Sequence, residues 1–74
     1  MIEDSLVLKT RIECTLDADG MFGYTKEQKI ENLKGFKTTI TDMLQNWMYP
    51  KIEYDALHQL LNDIDNHLVA LNGS

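Results

Sequence analysis

At seventy-four residues, the chain is expected to form a single domain over 1–74, near the size at which one core leaves roughly 3–5 kcal/mol of net stability. Twelve acids against seven bases give a net charge of −5, which favours solubility, repels phosphate backbones and argues against direct nucleic-acid binding. The lone Cys14 excludes an internal disulfide. The absence of a signal-like stretch or an apolar run of about 18 residues argues against a membrane helix and makes a reducing cytoplasm the expected compartment.

The hydrophobic fraction is 43%, yet only six residues are aromatic: Phe22, Tyr24, Phe36, Trp47, Tyr49 and Tyr54. The core must therefore be largely aliphatic, which suits helices better than a β-sandwich.

The first segment has two readings. With period two, Leu6, Leu8, Ile12, Cys14 and Leu16 share one face and Lys9, Arg11, Glu13 and Asp17 the other, which is a strand pattern. With helical period, Leu8, Ile12 and Leu16 form an i, i+4 line, Ile2 and Leu6 extend its flank, Glu3 and Asp4 suit the N-terminal dipole, and Lys9 can pair with Glu13. A strand here would find its only internal partner in the short Met21–Tyr24 run across the Asp19-Gly20 turn. The expected fold class is all-α, a small three-helix bundle, with an N-terminal strand or hairpin followed by a helical hairpin as the alternative.

The second segment opens on a capping box, Thr25 with Gln28 three residues later. From there Ile30, Leu33, Phe36, Ile40, Met43, Leu44, Trp47 and Met48 fall within an arc of about 140° at 100° per residue, a core-facing stripe. Gly35 lies off the stripe, where it either weakens the helix by roughly 1 kcal/mol or caps a shorter one that restarts at Phe36. Pro50 ends the segment, because proline disfavours helical backbone in the residue before it.

The third segment is the clearest. Tyr54, Leu57, Leu60, Leu61, Ile64, Leu68 and Leu71 line one face of a helix that Asn72-Gly73 should stop, and from residue 52 onward every charged residue is an acid: Glu53, Asp55, Asp63 and Asp65. The lysines of the second segment (Lys26, Lys29, Lys34 and Lys37) should lie beside Asp63 and Asp65 if the two helices are antiparallel.

Few residues suggest chemistry. His58 and His67 are nine residues apart and so on opposite sides of a helix, unable to grip one metal ion together; Asp63 could pair with His67. The acids around Asp17-Ala18-Asp19-Gly20 resemble a calcium loop, but EF-hand spacing from Asp17 puts Met21, Phe22 and Gln28 where an oxygen ligand, a glycine and a glutamate belong. A helix-ending or hairpin turn explains them. Cys14 has no neighbouring base and reads as a buried structural cysteine. No phosphate loop, nucleophile elbow or Cys-x-x-Cys pair is present, so no catalytic residue, cofactor or metal is expected and the chain does not read as an enzyme.

What remains is a binding surface. Met43, Trp47, Met48 and Tyr49 cluster where the second helix meets Pro50, and aromatic residues and methionine are enriched at interfaces. The alternative is that Met43 and Trp47 close the end of the core while Tyr49 covers the turn. Phe22 and Tyr24 could dock against the same cluster. The expected function is a small acidic protein–protein interaction module: a regulator, adaptor or stoichiometric inhibitor of a larger protein, of a type that phages and mobile elements encode. Its expected partners are another protein and, as a homodimer, a second copy, with no nucleic acid and no membrane. The expected contact residues are Met43, Trp47, Met48 and Tyr49 with Glu53, Asp55, Asp63 and Asp65. The rival reading makes those four carboxylates a nucleic-acid mimic that blocks a basic groove of a host protein.

Overall fold

A computed structural model describes residues 2–73, with side chains from residue 5 onward. It contains three helices, α1 (Ile2–Leu16), α2 (Lys26–Asn46) and α3 (Lys51–Asn72), and no strand among the described residues. The first segment is therefore helical and the strand alternative is overturned. Leu8 and Ile12 are buried and Leu16 packs against the core, the i, i+4 line expected of a helix. Met21–Tyr24, the one possible strand partner, is loop.

The chain runs up, down and up. Ser5 at the start of α1 bonds Glu53 at the start of α3, so these two helices are parallel. The short turn at 47–50 makes α2 and α3 an antiparallel hairpin, and Lys37 of α2 meets Asp65 of α3 at 2.8 Å. That ion pair is the one expected between the lysines and the acids, made to Asp65; Asp63 instead accepts from the side-chain amide of Gln59.

Each helix end has a local cause. Thr25 caps α2 through a reciprocal box: the Gln28 N–H donates to Thr25 Oγ1 at 3.1 Å and the Thr25 N–H donates to Gln28 Oε1 at 2.8 Å. At the end of α1, Asp17 takes a left-handed conformation (φ 52°), its N–H reaching Glu13 O and its carbonyl accepting from the Gly20 N–H at 2.9 Å. Pro50 caps α3 and its carbonyl accepts from the Tyr54 N–H. α3 stops at Asn72-Gly73 as the sequence suggests, although Gly73 keeps φ at −84° and needs no left-handed turn. α2 passes through Gly35 without a break, so the reading of Gly35 as a cap is corrected.

The core is small and aliphatic: Leu8, Ile12, Leu33, Ile40, Leu57, Leu60 and Ile64 are buried, with Phe36, Met43, Leu44, Tyr49, Leu61, Leu68 and Leu71 packed around them. Three expected core positions differ. Tyr54 is exposed, and the position facing the core one turn before Leu57 belongs to Glu53, which retains 1% of its surface. At 100° per residue Glu53 lies within about 40° of Leu57, Leu60 and Ile64, whereas Tyr54 lies at the edge of that face. Trp47 and Met48 also leave the α2 stripe, because α2 ends at Asn46 and Trp47 is extended (φ −129°, ψ 149°); Met48 is fully exposed.

Candidate protein-binding surface

The turn from α2 to α3 sorts its side chains by backbone geometry. The Trp47 N–H still donates to Met43 O at 3.0 Å, but its extended backbone swings the indole away from the α2 stripe. Trp47 is extended and Pro50 keeps Tyr49 before it out of the helical region, so the helical phase of α2 ends here. Tyr49 turns inward and packs against the core, Met48 points outward with all of its surface exposed, and Trp47 is 69% exposed. Ile52 in the first turn of α3 adds a third exposed apolar side chain. Of the four residues expected to form this surface, Met43 and Tyr49 belong to the edge of the core, while Trp47 and Met48 face solvent. The idea that Trp47 closes the core is thus corrected, and Ile52 is a member of the corner that sequence reading missed.

The four carboxylates do not form one acidic face. Glu53 is inside the bundle, accepting from the Ser5 N–H at 3.1 Å and the Ser5 hydroxyl at 2.7 Å. Asp55 pairs with Lys51 at 3.0 Å and Asp65 with Lys37 at 2.8 Å, both exposed. Asp63 is half-buried and carries the bond from Gln59 at 3.1 Å. The signal for Glu53 was available: it continues the Leu57–Leu60–Ile64 line backwards by one turn.

At the opposite end of the bundle, the Asp17 carboxylate accepts from the backbone N–H groups of Phe22 at 3.1 Å and Tyr24 at 3.3 Å, fastening the 17–24 loop over the end of α1. The Phe22 N–H is the main reason the Asp17 pKa falls below its ordinary value. Burial opposes the shift, and the N–H groups of Tyr24 and Gly23 and the charge of Lys29 add to it. These oxygens face N–H donors, so the resemblance to a calcium loop has no chemical content. Phe22 and Tyr24 stack on each other at 5.6 Å. With the length of α2 between them and the Trp47 corner, they cannot dock there.

The other candidates are quickly placed. Cys14 is exposed, which corrects its expected burial; it lies two residues past Ile12, on the far side of α1 from the core. The His58 ring lies against Tyr54 with centroids 4.4 Å apart, the two planes tilted by 58°. No group of three His, Cys, Asp or Glu side chains among the described residues could hold a metal ion, and no described helix is long and apolar enough to cross a membrane. Comparisons with protein-family models, curated proteins and solved structures returned no match.

Proposed function

We propose that this chain is a protein–protein interaction module, an adaptor, regulatory subunit or stoichiometric inhibitor of a larger protein, and that it engages that protein through the Trp47–Met48–Ile52 corner. The observation that carries the reading is the exposure of these three side chains, at 69%, 100% and 70%, around a turn anchored from below by Tyr49. A large rigid aromatic beside an adaptable methionine is the usual chemistry of an interface anchor, and nothing in the fold requires either side chain to be apolar.

The acidic-decoy reading has less support. A phosphate mimic needs several unmatched charges in one row, whereas Glu53 is buried and Asp55 and Asp65 already face lysines. The test is capture from a cell extract on the immobilised chain, native against Trp47→Ala/Met48→Ala. The expected result is a retained protein that the double variant loses while keeping its unfolding curve. Retention that survives the double variant but vanishes at moderate salt would favour the decoy instead.

A further inference from the structure

We infer that the outward face of α1 beside α2, distinct from the Trp47 corner, seats an acidic amphipathic helix of a partner protein, with one carboxylate of that helix on Arg11. α1 turns Leu8 and Ile12 inward together with Ser5 and Thr15, and at about 100° per residue Leu6, Thr10 and Val7 occupy the opposite side. Leu6 and Val7 keep 56% and 50% of their surface. Thr10 adds its methyl group, since its hydroxyl is turned back to the Leu6 carbonyl at 3.0 Å. Two shallow hollows adjoin along this side and share Val7 and Arg11: one runs between the helices against Leu8 and Met43, the other along α1 past Leu6 and Thr10. An apolar trough between two helices is shaped for a third.

Arg11 decides the occupant. It is exposed and forms no ion pair among the described residues. The residues one turn before and after it are Val7, Leu8, Cys14 and Thr15, so these positions of its own helix offer no acid. Across the hollow stands Met43; Asp42 beside it lies about 100° further round α2. Lys9 differs, with Glu13 one turn on and Asp63 lining the same groove to α3. Arg11 is thus a cation set among uncharged side chains, and an apolar surface laid over it must supply a carboxylate or leave the guanidinium covered and unmatched. The chain as a whole carries a charge of −5, so a nucleic acid or a polyanionic tail is repelled at long range. What fits is a helix with apolar residues on one side and a single acid among them, which Arg11 can hold in a two-point bond.

The experiment is fluorescence anisotropy of a labelled synthetic helix with leucines at i, i+4 and i+7 and one glutamate between them, against the same peptide with glutamine or lysine at that place. The glutamate peptide should bind the full chain about tenfold more tightly than the glutamine peptide, and the lysine peptide should bind least. Arg11→Glu should reverse that order. Leu6→Ser/Val7→Ser should weaken all three peptides and keep the unfolding curve, since these side chains already face solvent. Lys9→Gln and Trp47→Ala/Met48→Ala should change little. Failure of every peptide to bind overturns the inference. So does an order that survives Arg11→Glu, or binding lost on Trp47→Ala/Met48→Ala instead. Light scattering adds a further check: a particle of twice the 8.5 kDa chain mass that Arg11→Glu returns to monomer would seat a second copy on this face and overturn the inference too. The Trp47 corner is read by its own variants, so the two proposals can fail independently.

Discussion

Ser5 gives both its backbone N–H and its hydroxyl to the carboxylate of Glu53, a residue forty-eight positions away. This joins the first turns of α1 and α3, where the unsatisfied N–H groups and positive dipole ends of two parallel helices can stabilise a buried negative charge. Removing that carboxylate takes away the acceptor of both Ser5 bonds and opens a void. Glu53→Ala should therefore cost about 2–4 kcal/mol, most of the roughly 3–5 kcal/mol a domain of this size holds. Glu53→Gln, which keeps one acceptor oxygen, should cost about half as much, and Ser5→Ala a similar amount. Urea unfolding of the two single variants and the double should reveal strong non-additivity. Purely additive effects would mean that the pair is not coupled.

Asp17 makes stability depend on acid. Its folded pKa lies below the unfolded value of 3.8, chiefly because of the Phe22 N–H. A carboxylate with a depressed folded pKa contributes stability that is complete above the unfolded value and is lost as pH falls through the lower folded value. The unfolding midpoint should therefore drop below about pH 3.8. Asp17→Asn, which still tolerates the left-handed backbone, should be less stable at neutral pH and should flatten part of that acid limb. An unchanged limb in the variant would assign the acid sensitivity elsewhere.

Gly35 offers the opposite test. A Cβ built there meets nothing within 4 Å, and the residue is exposed in the interior of α2. Gly35→Ala should stabilise the fold by about 1 kcal/mol from helix propensity alone. Thermal unfolding checks it, and a destabilised variant would show that the α2 surface is covered in solution.

The outward side chains should be energetically quiet. Trp47→Ala and Met48→Ala should each change stability by less than about 0.5 kcal/mol, in contrast to about 2–5 kcal/mol for Leu57→Ala in the core. Because Trp47 is the single tryptophan, its emission in the free chain should be that of a wet indole and shift to the blue when a partner covers it. Cys14, exposed on α1, should react fully with a thiol reagent in the native state. Slow labelling limited by unfolding would place it in a covered face.

Periodicity exposed most of this architecture in advance. The Leu8–Ile12–Leu16 line, the Leu33–Leu44 part of the Ile30–Met48 stripe, the leucine residues of the α3 face and the capping box at Thr25 each require only local spacing, and each is present. Failures occurred where something other than the local period sets a side chain's place. Glu53 was assigned by its charge to the solvent face, because its partner is a serine at the far end of the chain. Trp47 was carried along the α2 stripe, although α2 ends at Asn46 and the extended backbone of Trp47 breaks the helical phase. The Asp17 carboxylate was recognised only as part of a turn, since its partners are backbone N–H groups that any sequence supplies. The α1–α2 hollow beside Arg11 depends on which helices are neighbours, and that choice is made by tertiary contacts.

The middle of α2 carries one more consequence. Thr38, Thr39 and Thr41 each turn a hydroxyl back to the carbonyl four residues earlier, at 3.1, 3.0 and 2.8 Å, just after Gly35. Such back-bonding slightly weakens and bends a helix, and β-branched residues and glycine add little helical preference of their own. This stretch is therefore helical chiefly because its neighbours bury Leu33 and Ile40. It should be the last segment of the bundle to acquire protection from amide exchange during folding and the first to lose it when α1 is loosened, which makes the centre of α2 the place to watch for the order in which the three helices come together.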